Sequence, residues 1–185
     1  MFHYPNVHVT EEQSASMGIP RVLVDTSGDE LDDLSRGLVL IRRQYGVDGV
    51  VTGALLSDYQ RMMMSIAAKD AGLRIYSPLW RKDQYNYMQS LVRHGFIFII
   101  TSISTYGLPP SFLGRVVDLE LVEEILGLAR RFNFNPAFEG GEAETLVLDA
   151  PLFRYRLRII DAEIVRTGAY SWIYLVKGVG REDKD

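Results

Sequence analysis

Gly49-Val50-Val51-Thr52-Gly53-Ala54-Leu55-Leu56-Ser57-Asp58-Tyr59-Gln60-Arg61 carries the reading of the fold. It opens as a short buried strand, turns at a glycine, and enters a helix with serine in the capping position. Tyr59, Met63, Ile66 and Ala67 recur on one face of that helix, and Gly72 marks its end. The same alternation extends in both directions. Upstream, Ile19 to Val24 reads as a strand. After the turn Thr26-Ser27-Gly28-Asp29, Leu31, Leu34, Leu38, Ile41 and Tyr45 recur at helical spacing. Downstream, Arg74-Ile75-Tyr76 reads as a strand and Asp83 to Arg93 as a helix. Phe96-Ile97-Phe98-Ile99-Ile100 is a continuous apolar run, which suits a parallel strand covered on both faces. The predicted class is α/β, an open parallel sheet with helices on both faces.

The character changes after about Ser102. Tyr106-Gly107-Leu108-Pro109-Pro110-Ser111 reads as a loop, because two prolines exclude a helix interior. Asp118 opens a helix with an apolar stripe of Leu121, Val122, Ile125, Leu126, Ala129 and Phe132. From Thr145 onward the pattern is that of strands: Leu146–Leu148, Tyr155–Ile160, Ile164–Thr167 and Trp172–Val176. Turns are expected at Asp161-Ala162 and Gly168-Ala169, and a frayed end from Gly180. The division that follows is an α/β domain over 1–104 and a smaller β-rich C-terminal lobe over 105–185.

With 185 residues, 47% hydrophobic and 24% charged, the chain has the composition of a globular domain with a sizeable core. A net charge of -4 argues against a broad basic surface for nucleic acid, leaving at most a local patch. The absence of cysteine excludes disulfides, thiolate zinc sites and a cysteine nucleophile. No apolar run approaches a membrane span and the start lacks a secretory pattern, so the expected location is cytoplasmic.

Two segments stand out chemically. Gly53, Ala54, Ser57, Asp58, Gln60 and Arg61 occupy a strand-to-helix junction. In open α/β sheets that edge takes ligands, and a helix N-terminus favours anionic groups. A capping box of Ser57 with Gln60 explains those two residues but leaves Asp58 and Arg61 over. Ser77-Pro78-Leu79-Trp80 ends the next strand at the same edge. There Trp80 is either an aromatic plug or a surface for a flat base or quaternary ammonium. The second segment is Phe138-Glu139-Gly140-Gly141-Glu142-Ala143-Glu144-Thr145. It crowds three carboxylates around two glycines, at a cost in repulsion and backbone entropy, and suits a cationic group better than phosphate. A polar loop between helix and strand is the structural alternative.

His3, His8 and His94 lack ligand spacing, and no metal site is expected; His94 beside Gly95 reads as a helix C-cap. Arg154, Arg156 and Arg158 share one strand face, as a solvated surface or, in the minority view, a stripe for an acidic partner.

Taken together, these residues resemble the diphthine–ammonia ligase family, ATP-binding proteins of the PP-loop superfamily. The resemblance runs over essentially the whole chain. It rests on Met1-Phe2-His3-Tyr4-Pro5-Asn6, on Thr52-Gly53-Ala54-Leu55 with Ser57-Asp58-Tyr59-Gln60-Arg61, and on Pro78-Leu79-Trp80. Phe112-Leu113-Gly114-Arg115 and the run from Glu139 to Phe153 complete it. The resemblance implies ATP-dependent amide formation. The carboxylate of diphthine on translation elongation factor two is activated as an acyl-adenylate, and ammonia displaces AMP. Its implied ligand is ATP with Mg²⁺, and its implied partners are the modified elongation factor and ammonia. A homo-oligomer or complementing chain is an open expectation. Gly53, Ala54, Ser57, Asp58, Gln60, Arg61 and Arg115 would bind nucleotide. His3, Trp80, Glu139, Gly140, Gly141, Glu142, Glu144 and Thr145 would bind substrate, with diphthine's trimethylammonium among the glutamates. On this reading the Thr52 turn and the glutamate segment share one pocket.

Two departures accompany the resemblance. Family members usually carry Gly where this chain has Phe138, and an aromatic residue where it has Ala143. The family also begins with a strand and a Ser-Gly-Gly-Lys-Asp-Ser phosphate-binding loop, and this chain starts downstream of both. The expected explanation is a fragment or a wrongly started reading. A complementing polypeptide and a degenerate relative that only binds substrate are the alternatives. An adenylating enzyme of transfer-RNA modification is a rival that the acidic balance disfavours.

Overall fold

The computed structural model describes residues 5–184. The α-helices are α1 (Thr10–Met17), α2 (Glu30–Tyr45), α3 (Asp58–Asp70), α4 (Gln84–Arg93) and α5 (Leu119–Phe132). The strands are β1 (Gly49–Val51), β2 (Arg74–Tyr76), β3 (Ile97–Ile103), β4 (Ala143–Asp149), β5 (Tyr155–Arg166) and β6 (Trp172–Asp183). The chain forms two compact units. The first is Val22–Lys82; the described part of the second is 5–21 with 83–184. A parallel pair flanked by helices and a separate antiparallel sheet together make an α/β protein with a β-rich C-terminal part, as the sequence predicts.

In the first unit β1 and β2 pair in parallel, Gly49 with Arg74 and Val51 with Tyr76. Leu38 of α2, Ala67 and Ala68 of α3, and Ala71 and Leu73 form the core beneath Val50. The small side chains of α3 permit close packing. Asp29 caps α2 by accepting from the N–H groups of Leu31 and Asp32. Asp33, in the first turn of α2, is buried and ties down the preceding loop. Its carboxylate accepts from Thr26 Oγ1 (2.8 Å), Ser27 N (2.7 Å) and Ser27 Oγ (2.8 Å), and meets the Arg36 guanidinium. Burial pushes its pKa up, but the bonds from Ser27, Thr26 and Arg36 outweigh it and hold the carboxyl well below its usual range.

Several expectations need correction here. Ile19–Val24 forms no strand; Pro20 removes a backbone donor, and the segment runs as an irregular connection into α2. β1 is not buried: Val51 is 68% exposed, because α2 and α3 cover only one side of the pair.

In the second unit the sheet order is β4-β3-β6-β5, antiparallel throughout. The apolar run is therefore an antiparallel strand, contrary to the parallel assignment. The reason for its composition survives, since both faces are covered. Phe98 and Ile100 pack with Leu121, Val122, Ile125 and Leu126 of α5, whereas Ile99 packs with Val9, Leu146, Leu148, Leu157 and Val176. Asp161-Ala162 is a β-bulge, not a turn, so β5 runs unbroken for 12 residues. β6 extends to Asp183 opposite Tyr155, and the end expected to fray is strand up to that residue.

β3 and β6 pair only at Ser102 with Ile173 and Ile103 with Trp172, then diverge. Beyond that point Asn6 replaces the missing strand contact. Its Nδ2 donates to the Tyr174 carbonyl (3.0 Å), and its Oδ1 accepts from Val176 N (2.8 Å). The side-chain amide thus stands in for a peptide group. Helix α1, which the sequence reading left unassigned, is fastened to the same sheet. Gln13 Nε2 donates to the Val147 carbonyl and Ser16 Oγ to the Tyr155 carbonyl.

Candidate functional site

The residues singled out by sequence divide between the units: Gly53 to Arg61 and Trp80 lie in the first, Arg115 and Glu139 to Thr145 in the second. His3 lies outside the described residues.

In the first unit the β1–α3 junction and the loop after β2 are tied together. Thr52 N donates to the Tyr76 carbonyl (2.9 Å), Thr52 Oγ1 lies 3.1 Å from Ser77 Oγ, and Arg81 N donates to the Leu55 carbonyl (2.7 Å). Ser57 caps α3, accepting from Gln60 N at 3.3 Å. Arg61, one turn into α3, lies 3.6 Å from Asp58 and stacks with its guanidinium 4.6 Å from the centre of the Trp80 ring. The strand-end residues expected to share one edge do so. Gly53 stays open, since a Cβ there would meet nothing within 4 Å.

In the second unit, β3 ends where β4 and β6 begin, with Ile103 opposite both Ala143 and Trp172. The loop after β3, the turn before β4 and the β5–β6 hairpin tip therefore gather at one end of the sheet. Tyr106 joins two of its neighbours through edge-to-face contacts with Phe132 (5.2 Å) and Tyr170 (5.3 Å). Arg115 belongs to this unit, exposed, with its guanidinium 5.7 Å from the Phe112 ring.

The turn from Asn135 to Glu142 is built by its own polar groups. Asn135 Oδ1 accepts from Ala137 N (2.9 Å), Phe138 N donates to the Asn135 carbonyl (3.0 Å), and Gly141 N donates to the Phe138 carbonyl (3.1 Å). Glu142 closes it from the far side. Its Oε1 accepts from Asn135 N (3.0 Å) and its Oε2 from Gly140 N (2.9 Å), while its own carbonyl accepts from Ser104 N (2.8 Å). The glycine pair has structural reasons. Gly141 has φ +82, and a Cβ on Gly140 would stand 2.6 Å from Glu142 Oε1. Phe138 has φ +63, a left-handed conformation unusual for an aromatic residue, with its ring buried in the core.

Glu139 meets α4: Gln84 Nε2 donates to its Oε2 at 3.3 Å. Burial and, second, the Glu139 charge push the Tyr87 hydroxyl up. Glu144 and Thr145 sit on β4 opposite Ser102 and Ile100. Gln84, Tyr87 and Asn135 escaped the sequence reading because no local pattern links α4 to a turn about 50 residues away. The proposed bland role of His94 holds: it is the C-cap of α4, with Nδ1 2.7 Å from the Ser90 carbonyl. Arg156 lies 3.4 Å from the buried Asp149, so at least one arginine of the β5 stripe is engaged within the fold.

Two domain models match the chain in order: diphthamide synthase N-terminal domain over 1–75, and diphthamide synthase C-terminal domain over 83–179. The chain belongs to the diphthamide synthase family. It is similar to the diphthine–ammonia ligase of Schizosaccharomyces pombe, 36% identical over 151 residues, covering 81% of this chain and 25% of that protein. It is likewise similar to the diphthine–ammonia ligases of Danio rerio (35%, covering 81% of this chain and 58% of that protein) and Bos taurus (32%, 80% and 55%). The chain thus spans little more than half the length of the two animal relatives, and a quarter of the yeast one. No helix among the described residues is long and apolar enough to cross a membrane.

Proposed function

We propose that this chain takes part in the ATP-dependent amidation of diphthine on translation elongation factor two. The diphthine carboxylate attacks the α-phosphorus of ATP and releases pyrophosphate. Ammonia then adds to the acyl carbon, AMP leaves with the C–O electron pair, and the added nitrogen loses one proton to give the amide. The observation that supports the reading most is the ordered match of both diphthamide synthase domains along one chain.

The residues present fit a nucleotide at the β1–α3 junction. Gly53 leaves open space beside its backbone, and Arg61 presents a half-exposed guanidinium above the α3 N-terminus. Gly53, Ala54, Ser57, Asp58, Gln60 and Arg61 would hold the nucleotide, with Mg²⁺ as counter-ion to the phosphates. Arg61 favours charge building on the departing phosphate groups. The Glu139–Thr145 segment would bind the cationic substrate, with Glu139 attracting it electrostatically. Cytoplasmic location follows from the proposed partner.

The test incubates the chain with ATP, ammonia and diphthine-bearing elongation factor two, following AMP release and, by mass spectrometry, conversion of diphthine to diphthamide. Turnover of both supports the ligase reading. Binding of the factor without AMP release supports the alternative, a split or degenerate relative serving as a substrate-binding module. Neither binding nor turnover overturns both.

A further inference from the structure

The carboxylate of Glu142 is spent on the backbone. Both oxygens accept from main-chain N–H groups, at Asn135 and Gly140, which bracket the turn carrying Glu139. With one main-chain donor on each oxygen, the direction of this carboxylate is set by the turn, and what it offers is geometry. Glu139 points elsewhere, toward Gln84 and Tyr87 of α4. Gly140 completes the device, because a side chain there would collide with the Glu142 carboxylate.

From this geometry we infer that Glu142 is a positioning residue: it fixes the 135–142 turn and thereby the place of Glu139, which is the carboxylate that meets the substrate's cationic group. The inference rests on the substrate-binding reading of this segment given above. It separates two residues whose sequence roles are indistinguishable. Glutamine at 142 keeps one acceptor oxygen but turns an NH₂ group toward a backbone donor, so one of the two bonds is lost. Glutamine at 139 leaves the turn intact and removes only charge.

The test uses the full chain and tetramethylammonium chloride as the probe, with binding followed by NMR at the Gly140 amide and Tyr87 ring. Amide hydrogen exchange at Asn135 and Gly140 is measured alongside. In Glu142→Gln, exchange at one or both amides should accelerate about tenfold and probe affinity fall about 5- to 10-fold. Glu139→Gln should abolish probe binding with exchange unchanged. Unchanged exchange in Glu142→Gln, binding that survives Glu139→Gln, or an unmodified chain that does not bind the probe would each overturn the inference. Loss of amidation in the unmodified chain, with probe binding as described, would strike the proposed reaction and leave the positioning role standing.

Discussion

The guanidinium of Arg61 lies over the Trp80 ring at 4.6 Å, and the two residues reach each other from the helix that follows one strand and the loop that follows the other strand of one parallel pair. Asp58 restrains the same guanidinium from within α3. A surface arginine held by a ring and a carboxylate has fewer rotamers to lose on meeting an anion. Trp80→Leu should therefore weaken ATP binding about 2- to 5-fold, the equivalent of a partly exposed cation–π contact. Calorimetric titration of both proteins measures it. The ring is also a reporter: in a Trp172→Phe background Trp80 is the sole tryptophan, and its emission should change as the phosphates bind beside the stacked Arg61.

Phe138 makes an unusual pair of demands, a left-handed backbone and a buried ring. Phe138→Ala should cost about 3–5 kcal/mol through loss of the ring. Phe138→Gly removes the same ring but relieves the backbone, and should be more stable than the alanine variant by about 1 kcal/mol. Urea unfolding of the two variants would reveal this order, the reverse of what side-chain size alone dictates.

Asp33 makes the first unit sensitive to acid. Its hydrogen bonds from Ser27, Thr26 and Arg36 overcome burial and lower its pKa in the folded protein. The stabilisation is fully present above about pH 4, the range of an unperturbed aspartate. It drains away as pH falls through the lower folded-state value and the carboxyl takes up a proton. Asp33→Asn should be less stable at neutral pH and should lose that component of acid sensitivity. Thermal unfolding of both proteins across the acid range checks the slope.

Asn6→Ala deletes both bonds that the side chain makes to β6 and leaves the buried Val176 N–H without its acceptor. The expected loss is about 3 kcal/mol. Exchange at the Val176 amide should rise more than at amides in the β5–β6 ribbon, which distinguishes local opening from general weakening.

Much of this architecture is legible in local pattern. The helical stripes of α2, α3 and α5, the glycine after α3 and the Asp118 cap are short-range signals, and the structure repeats them. The partners of β3 are not legible, because a strand covered on both faces looks the same whether its neighbours run parallel or antiparallel. Asp161-Ala162 looked like a turn because a bulge also interrupts alternation. In the glutamate segment the sequence marks the carboxylates and glycines but not their division of labour. That Glu142 faces backbone amides and Glu139 faces α4 depends on a fold that brings residue 84 to residue 139.

The anchoring of β6 by Asn6 also orders events in time. The two residues that Val176 and Asn6 represent are separated by 170 positions, and the 22–82 unit is spliced between the halves of the second one. During synthesis on a ribosome the asparagine emerges 170 residues before the valine whose amide it accepts. The intervening helices and parallel pair have a core of their own to bury meanwhile. The large sheet has no such early option, so its inner surface must wait, uncovered, until β6 has emerged.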